Sequence, residues 1–548
     1  MYDLKMSKAE SAIRSILIGA LAVTSLIITP SFSYDPINIP KLSSLVIFSV
    51  GLLVVITLNR SALFFKSQKN VMLIILSFII WSIFSFLLSP NKTEMFYGVT
   101  GRQTGLLTYI SFLIIFLASV LVSSNNLNLK VLNVLVFCGV ISATYGLIQY
   151  LGLEGISWIN SYNVVIGFLG NPNFQSSFMG ISATAAFALI NWNHKFKLGL
   201  YISFIVMAIY IIYLTQSRQG YLVLISGFSI VCYFFFRNSK KLSRFIYLYF
   251  LVAITGAIAI ISDMLQKSPW APFIYKPSIT YRGDFWRAGW NMTLDNPLFG
   301  VGFDGYRDNY RLYKDMNTAL RPIPDAVVDS AHNVFLDIST AGGFPLLFIY
   351  ITFIFYTFRS IIKIMKRSKV NDLALTGLVS CWIAYLAQSL ISMNNIGIAI
   401  WGWAFSGLII GYEINTRDDQ SFENTIKKRH PRILEVSGFV IGAIIVFPQI
   451  IVDAQFRSAV DSKDYSKIYN NAKQWPQSVK RIVLISEDLR VAGFLVQSRE
   501  LALEAIKLNP NNFEAWLALG RLSNSTPEEL ETAIKKLREL DPLNPGLK

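Results

Sequence analysis

The sequence is short of charge. Asp, Glu, Lys and Arg make up 15% of its 548 residues, where a soluble domain carries roughly 25%. A deficit spread over several hundred residues excludes an ordinary soluble globular protein. Histidine and cysteine are scarcer still, with three of each. Cys138, Cys232 and Cys381 all fall in apolar runs, with neither metal-site spacing nor the even count of a disulfide framework. HExxH, DxD and paired CxxC patterns are missing, so neither a metal nor a cofactor is expected. The net charge of +16 invites a nucleic-acid partner. That reading is set aside, because the Lys and Arg residues occupy short segments between apolar runs. There, charge sets topology and meets anionic lipid.

What the chain has in excess is hydrocarbon: 53% of its residues are hydrophobic. Apolar runs of about 17–25 residues mark membrane-spanning helices. Thirteen runs qualify, at 12–29, 43–58, 71–89, 105–123, 131–151, 174–191, 198–214, 220–236, 245–262, 333–358, 372–391, 396–414 and 433–452. The first follows Lys5, Lys8 and Arg14 but is long and lacks a small-x-small cleavage site, so it reads as an uncleaved span. The expected architecture is all-α and polytopic, with about 12–13 spans.

Cations recur in alternate connections, at 60–69, 130, 195–197, 237–244, 359–369 and 417–432. Segments 30–40, 152–173 and 392–395 are nearly free of them, with Lys41 at one margin. By the positive-inside rule the amino terminus is cytoplasmic. The long break at 263–332 and everything after the thirteenth run then lie outside. Two short outer segments break the pattern: 90–104 carries Lys92 and Arg102, and the tight turn TQSRQG carries Arg218. Such an arginine either snorkels to the interface or has a task.

After about Gln455 the sequence becomes charged and rich in Ala and Leu. Asn509–Pro510 recurs as Asp541–Pro542, and Trp516, Leu519 and Gly520 fit the first helix of a tetratricopeptide unit. The expected division is a membrane domain, 1–452, and an external tetratricopeptide-like tail, 453–548. The tail is either a platform for a protein partner or acceptor, or a passive cap.

The loop 263–332 holds the chemistry-bearing residues. Segment 278–292, SITYRGDFWRAGWNM, fits an amphipathic helix with Trp286 and Trp290 four apart, suited to a membrane interface. Arg282 shares a face with Trp286, and Asp284 and Arg287 are close by. The following LDNPLFGVGFDGY, with Gly300, Gly302 and Gly305, reads as turn geometry rather than a phosphate cradle, since no strand or P-loop lysine accompanies it. Ser330 is the expected N-cap of the next helix, which places His332 in its first turn. The helix dipole there disfavours imidazolium and attracts anions. Arginine is the residue for a diphosphate, because its planar fork binds oxygens in pairs and keeps its charge.

In order along the chain, YGLIQYLG at 145–152, GNPN at 170–173, SRQG at 217–220, RGDFW at 282–286, NPLFGVGFDGY at 296–306 and AHNVFLDISTAGGFP at 331–345 resemble the O-antigen ligase-like superfamily. That superfamily includes lipopolysaccharide O-antigen ligases, O-antigen polymerases and bacterial O-oligosaccharyltransferases. The resemblance covers about 145–345. It implies a GT-C-like fold in the bacterial cytoplasmic membrane and glycan transfer, without a metal, from an undecaprenyl-diphosphate donor. It also implies catalytic roles for Arg282, His332 and Arg218. Substrate contacts are expected from Arg102, Arg287, Trp286, Asn171, Asn333 and Asp329, with Asp329 or Asp325 orienting His332. The tail is absent from the simplest ligases, and so the acceptor (glycan, lipid or protein) is left open.

The expected mechanism has His332 taking a proton from an acceptor hydroxyl that attacks the anomeric carbon with inversion. The rivals are a polymerase or a protein O-oligosaccharyltransferase of the same fold and, outside the class, a solute transporter or a scaffold for the tail. A transporter calls for ionisable groups at mid-membrane, and few charges lie within these runs.

Overall fold

A computed structural model describes residues 8–59, 68–156, 158, 163–239, 241–264, 277–320, 327–367, 372–416 and 432–547. Among the described residues every regular element is helical. The membrane part opens with α1 (Lys8–Leu26), α2 (Asn38–Leu58), α3 (Lys69–Leu88), the short α4 (Lys92–Tyr97), α5 (Leu106–Val122) and α6 (Asn125–Tyr150). It continues with α7 (Pro172–Ala188), α8 (Lys195–Leu214), α9 (Arg218–Asn238) and α10 (Ile246–Met264). The polar break contributes α11 (Pro277–Asp295), α12 (Tyr306–Tyr313) and α13 (Met316–Ala319). Then come α14 (Val334–Arg367), α15 (Leu373–Ile391), α16 (Ile396–Asn415) and α17 (Arg432–Ser462). The tail holds α18 (Tyr465–Ala472), α19 (Val479–Val491), α20 (Leu495–Leu508), α21 (Phe513–Gly520) and α22 (Pro527–Leu540).

Each of the thirteen apolar runs coincides with a helix. Among the described residues, ten helices are long and apolar enough to cross a membrane. The protein is therefore an all-α polytopic membrane protein. Helix α5 is apolar but shorter, at 17 residues. Helix α7 is also 17 residues and is buried along nearly its whole length despite its serines and threonines. Ser176, Ser182 and Thr184 return their hydroxyls to the carbonyls of Asn173, Phe178 and Gly180. This leaves small side chains that let neighbouring helices approach.

Helix α16 is buried along nearly its whole length. Trp401, Trp403 and Phe405 are fully buried there. The Trp401 indole donates to Ser25 Oγ at 2.7 Å, and Trp382 donates to Ser406 Oγ at 2.8 Å. A buried indole N–H needs such a partner. Lys41, buried in α2, donates to the carbonyls of Thr24, Ser25 and Ile27 at 3.1, 2.8 and 3.2 Å. It thus satisfies the open carbonyl end of α1.

Two features position the polar end. First, α14 is not one continuous span. Gly342 (φ −141°) and Gly343 (φ +68°) break its helical path, and Pro345 follows. The turn after α11 packs into the break. Val301 N donates to Thr340 O at 2.7 Å, and Phe344 N to Pro297 O at 2.8 Å. Trp81 Nε1 and Ser85 Oγ from α3 donate to carbonyls on both segments. The glycine-rich turn is thus a close backbone packing, as its composition suggests: Gly300 and Gly302 hold φ +65° and +93°. Second, α17 runs on without interruption from apolar sequence to Ser462 and leads directly into the tail helices, which pack on one another in chain order. The tail also packs on the polar end of the bundle, with α22 against α12. Residues 265–276 and 321–326 of the long loop lie outside the described residues.

Candidate active site

Three stretches far apart in sequence meet at the polar end. Asn171 caps α7, its Oδ1 accepting from Asn173 N at 2.8 Å. Asn173 Oδ1 in turn accepts from Ser217 Oγ at 2.7 Å. That bond ties GNPN to SRQG and sets the first turn of α9. Arg218 is the first residue of α9, and its Nη1 is buried with no hydrogen-bond partner. The next residue, Gln219, is buried. It donates to Ser177 Oγ at 2.9 Å and accepts from Arg282 Nη2 at 3.4 Å. Arg282, in the second turn of α11, is thereby attached to the residue beside Arg218. Burial lowers the Arg282 pKa from its ordinary value.

His332 is placed differently from the sequence expectation. Helix α14 begins at Val334, so His332 precedes it. The cap is Asn333, not Ser330: Asn333 Oδ1 accepts from Phe335 N at 3.0 Å and Leu336 N at 3.3 Å. The physical reason is the chain path. His332 takes φ +51°, a left-handed conformation unusual outside glycine, with its N–H donating to Ser330 Oγ at 3.1 Å. The ring lies 5.7 Å from that of Phe285. Burial pushes the imidazole down to about 4, helped by the fields of Arg282 and Arg102 and opposed by Asp329. The ring is therefore neutral at physiological pH.

Around His332 stands a shell of carboxylates and guanidinium groups. Asp329 accepts from Arg307 Nη1 at 2.6 Å, and its carbonyl accepts from Arg102 Nη1. Burial alone would raise the Asp329 carboxyl, but Lys480, Arg307 and Arg102 hold it below its ordinary value. Arg102 Nε lies 3.6 Å from Asp304 and its Nη2 4.0 Å from Asp337. Asp304 also accepts from Val99 N at 3.0 Å and Thr104 N at 3.1 Å, and Asp337 from Ala331 N at 2.8 Å. Arg102 thus cross-links three loops.

The remaining predicted residues are dispersed. Arg287 faces away, paired with Asp315 at 2.8 Å and with Asp284. Trp286 is partly buried, with its Nε1 lacking a partner. Asn333 Nδ2 donates to Leu390 O at 3.0 Å and so joins the loop to the end of α15. Asp329 reaches His332 through its field, its carboxylate being turned to Arg307. Asp325 lies outside the described residues. Sequence reasoning passed over Gln219, Asp304, Asp337 and Arg307. The first three sit inside quoted stretches (SRQG, GFDG, HNVFLD), but only Gln219, next to Arg218, stood beside a candidate arginine. Arg307 carried none. Among the described residues no group of three or more His, Cys, Asp or Glu side chains could hold a metal ion.

Residues 202–351 match the family model of O-antigen ligase. The matched stretch contains Arg218, Gln219, Arg282, His332, Asp337 and the break in α14. Arg102 and Asn171 lie outside it. No curated protein matches the chain. The match supports a membrane glycosyltransferase of the O-antigen ligase and polymerase kind, with a lipid-linked glycan and an acceptor as its partners.

Proposed function

We propose that the protein transfers a glycan from an undecaprenyl-diphosphate donor to an acceptor hydroxyl, at the outer face of the bacterial cytoplasmic membrane. The observation that carries this reading is the juxtaposition at one polar end. A neutral, half-buried His332 stands in the field of Arg282, and Arg282 shares Gln219 with the turn that holds the unpartnered Arg218. In this reading the diphosphate lies on Arg218 and Arg282. The acceptor hydroxyl loses its proton to the His332 ring nitrogen as its oxygen bonds to the anomeric carbon. The bond from that carbon to the phosphate oxygen breaks, and undecaprenyl diphosphate leaves with the electron pair. Attack from the opposite face inverts configuration. Preorganised cations stabilise charge developing on the leaving group, so the two arginines take the part a metal plays elsewhere.

The low pKa of His332 fits this scheme as a resting state. A base works best with its pKa near the operating pH. The donor's negative charge would offset the Arg282 field and raise the imidazole as the substrate arrives. The test is transfer by the purified protein from a lipid-diphosphate-linked glycan. His332→Ala should lose on the order of 100-fold or more, and full activity in that variant would remove His332 as the base. Supplying lipid, glycan and protein acceptors in parallel separates ligase, polymerase and protein O-glycosylation.

A further inference from the structure

Helix α12 carries charged side chains on two sides. On one, Arg307 bonds Asp329 at 2.6 Å. On the other, Asp308, Arg311 and the following Lys314 face the tail. Asp308 accepts from Asn509 Nδ2 at 2.6 Å and Asn512 Nδ2 at 2.8 Å. Arg311 lies 3.2 Å from Asp541 and 4.1 Å above the Phe513 ring. Lys314 lies 2.8 Å from Asp541, both side chains being at most 1% exposed. A second tether joins the tail to the loop that bears Arg102. Ser478 Oγ donates to Glu94 at 2.8 Å, and Thr100 Oγ1 donates to Ser478 Oγ at 2.9 Å. Lys480 Nζ donates to Thr100 O at 3.0 Å. Arg102 of that loop donates to the Asp329 carbonyl. Both routes from the tail therefore end on Asp329, three residues before His332.

The chemistry of these contacts argues against a loosely attached accessory module. Taking Asp541, Arg311 and Lys314 out of water is unfavourable unless each is paired, and removing one partner leaves the others buried and uncompensated. The tail and α12 thus hold one geometry together. The left-handed backbone at His332 persists only where its surroundings impose it, and Asp329 is the point at which both tethers reach that segment.

We propose that the C-terminal helices are a positioning element for the active site, setting His332 through α12 and Arg307 on one side and through Lys480 and the Arg102 loop on the other. Asp541, Arg311 and Lys314 are its positioning residues. The proposal rests on the reading of His332 as the catalytic base, but its test does not use glycan transfer, so the two can fail separately.

The test is acylation of histidines in the full-length protein by diethyl pyrocarbonate, which attacks the neutral ring, followed by mass spectrometry across a pH series. His194, in an exposed loop at residues 191–194, serves as the internal reference. In the wild type the His332 profile should turn near pH 4, its buried value. Asp541→Asn should free the tail to protease. It should move the His332 profile up towards the ordinary value of about 6.5 as water enters, and speed its acylation at neutral pH by roughly threefold or more. Asp541→Glu should restore the wild-type profile, a rescue that general stabilisation would not predict for the titration of one ring. If Asp541→Asn unfolds the bundle, the pair Asn509→Ala and Asn512→Ala takes its place under the same criteria. A freed tail with a wild-type His332 profile would overturn the proposal. So would a tail that stays docked in every one of these variants, because the named contacts would then not be holding it.

Discussion

Arg102 and Arg218 pose the same question in the sequence: each is an arginine where the charge pattern expects none. Their surroundings give them opposite answers. Arg102 has a side chain only 9% exposed, set between Asp304 and Asp337. Burial alone would lower its pKa, but those two carboxylates raise it above the ordinary value. A buried nitrogen without a hydrogen-bond partner occurs in both, Nε of Arg102 and Nη1 of Arg218, but only Arg102 has carboxylates within ion-pair distance among the described residues. Arg102→Ala should therefore act on stability. It strands two buried carboxylates, a change that costs about 3–5 kcal/mol, and the melting temperature should fall accordingly. Arg218→Ala should leave stability within about 1 kcal/mol and lose on the order of 100-fold in transfer. Equal melting losses in the two variants would show that Arg218 is structural. Which arginine was free could not be read from the chain, because the carboxylates beside Arg102 come from positions 202 and 235 residues away.

At the scale of single elements, the break in α14 does the most to shape the site. An apolar run from 333 to 358 reads as one span, and its composition hides a change of direction at Gly342–Gly343. The signal was present, since two glycines and Pro345 stand together. Gly and Pro also occur within spanning helices, however, so the break itself was not determined. The piece before the break carries the Asn333 cap and Asp337. The break admits the 297–302 turn, which in turn fixes the start of α12. A β-carbon on Gly343 would stand 2.4 Å from Pro297 O, at a backbone φ of +68°. Gly343→Ala should cost about 1–3 kcal/mol from backbone strain, and more once the turn is displaced. The checks are thermal melting and the yield of folded protein. Unchanged melting would mean that the turn and the break are not coupled.

On the scale of the whole molecule, charge and burial sort the chain into two ends. Glu413, buried at the end of α16, pairs with Arg367 at 3.0 Å and Lys363 at 3.9 Å. The far end holds the His332 cluster and the tail. The cation pattern then predicts sidedness. In a background without the native cysteines, Ser523→Cys should react with a membrane-impermeant maleimide in intact cells or spheroplasts. Asn193→Cys should react only after permeabilisation. Labelling of both from the same face would break the topology on which the proposed outward-facing site depends. The docked tail was the least legible feature at this scale. Its helices are evident from their Ala and Leu periodicity, but Asp541, Asn509 and Asn512 read as turn residues until α12 is seen beside them.

The sequence by itself determined the all-helical, polytopic character, the alternation of charge and the stretches from which the site is drawn. Each of these is local: a run of hydrocarbon long enough for a bilayer needs no knowledge of its neighbours, and neither does a basic connection. Tertiary structure decided what each polar group is for. It made Asn333 rather than Ser330 the helix cap, and turned Arg287 onto Asp284 and Asp315. It placed Gln219 between Arg218 and Arg282, and put the tail against the loop that sets His332. The cause is burial. In a dry interior a charge is governed by whichever partner the fold brings within a few ångströms, and distance along the chain says little about which partner that is.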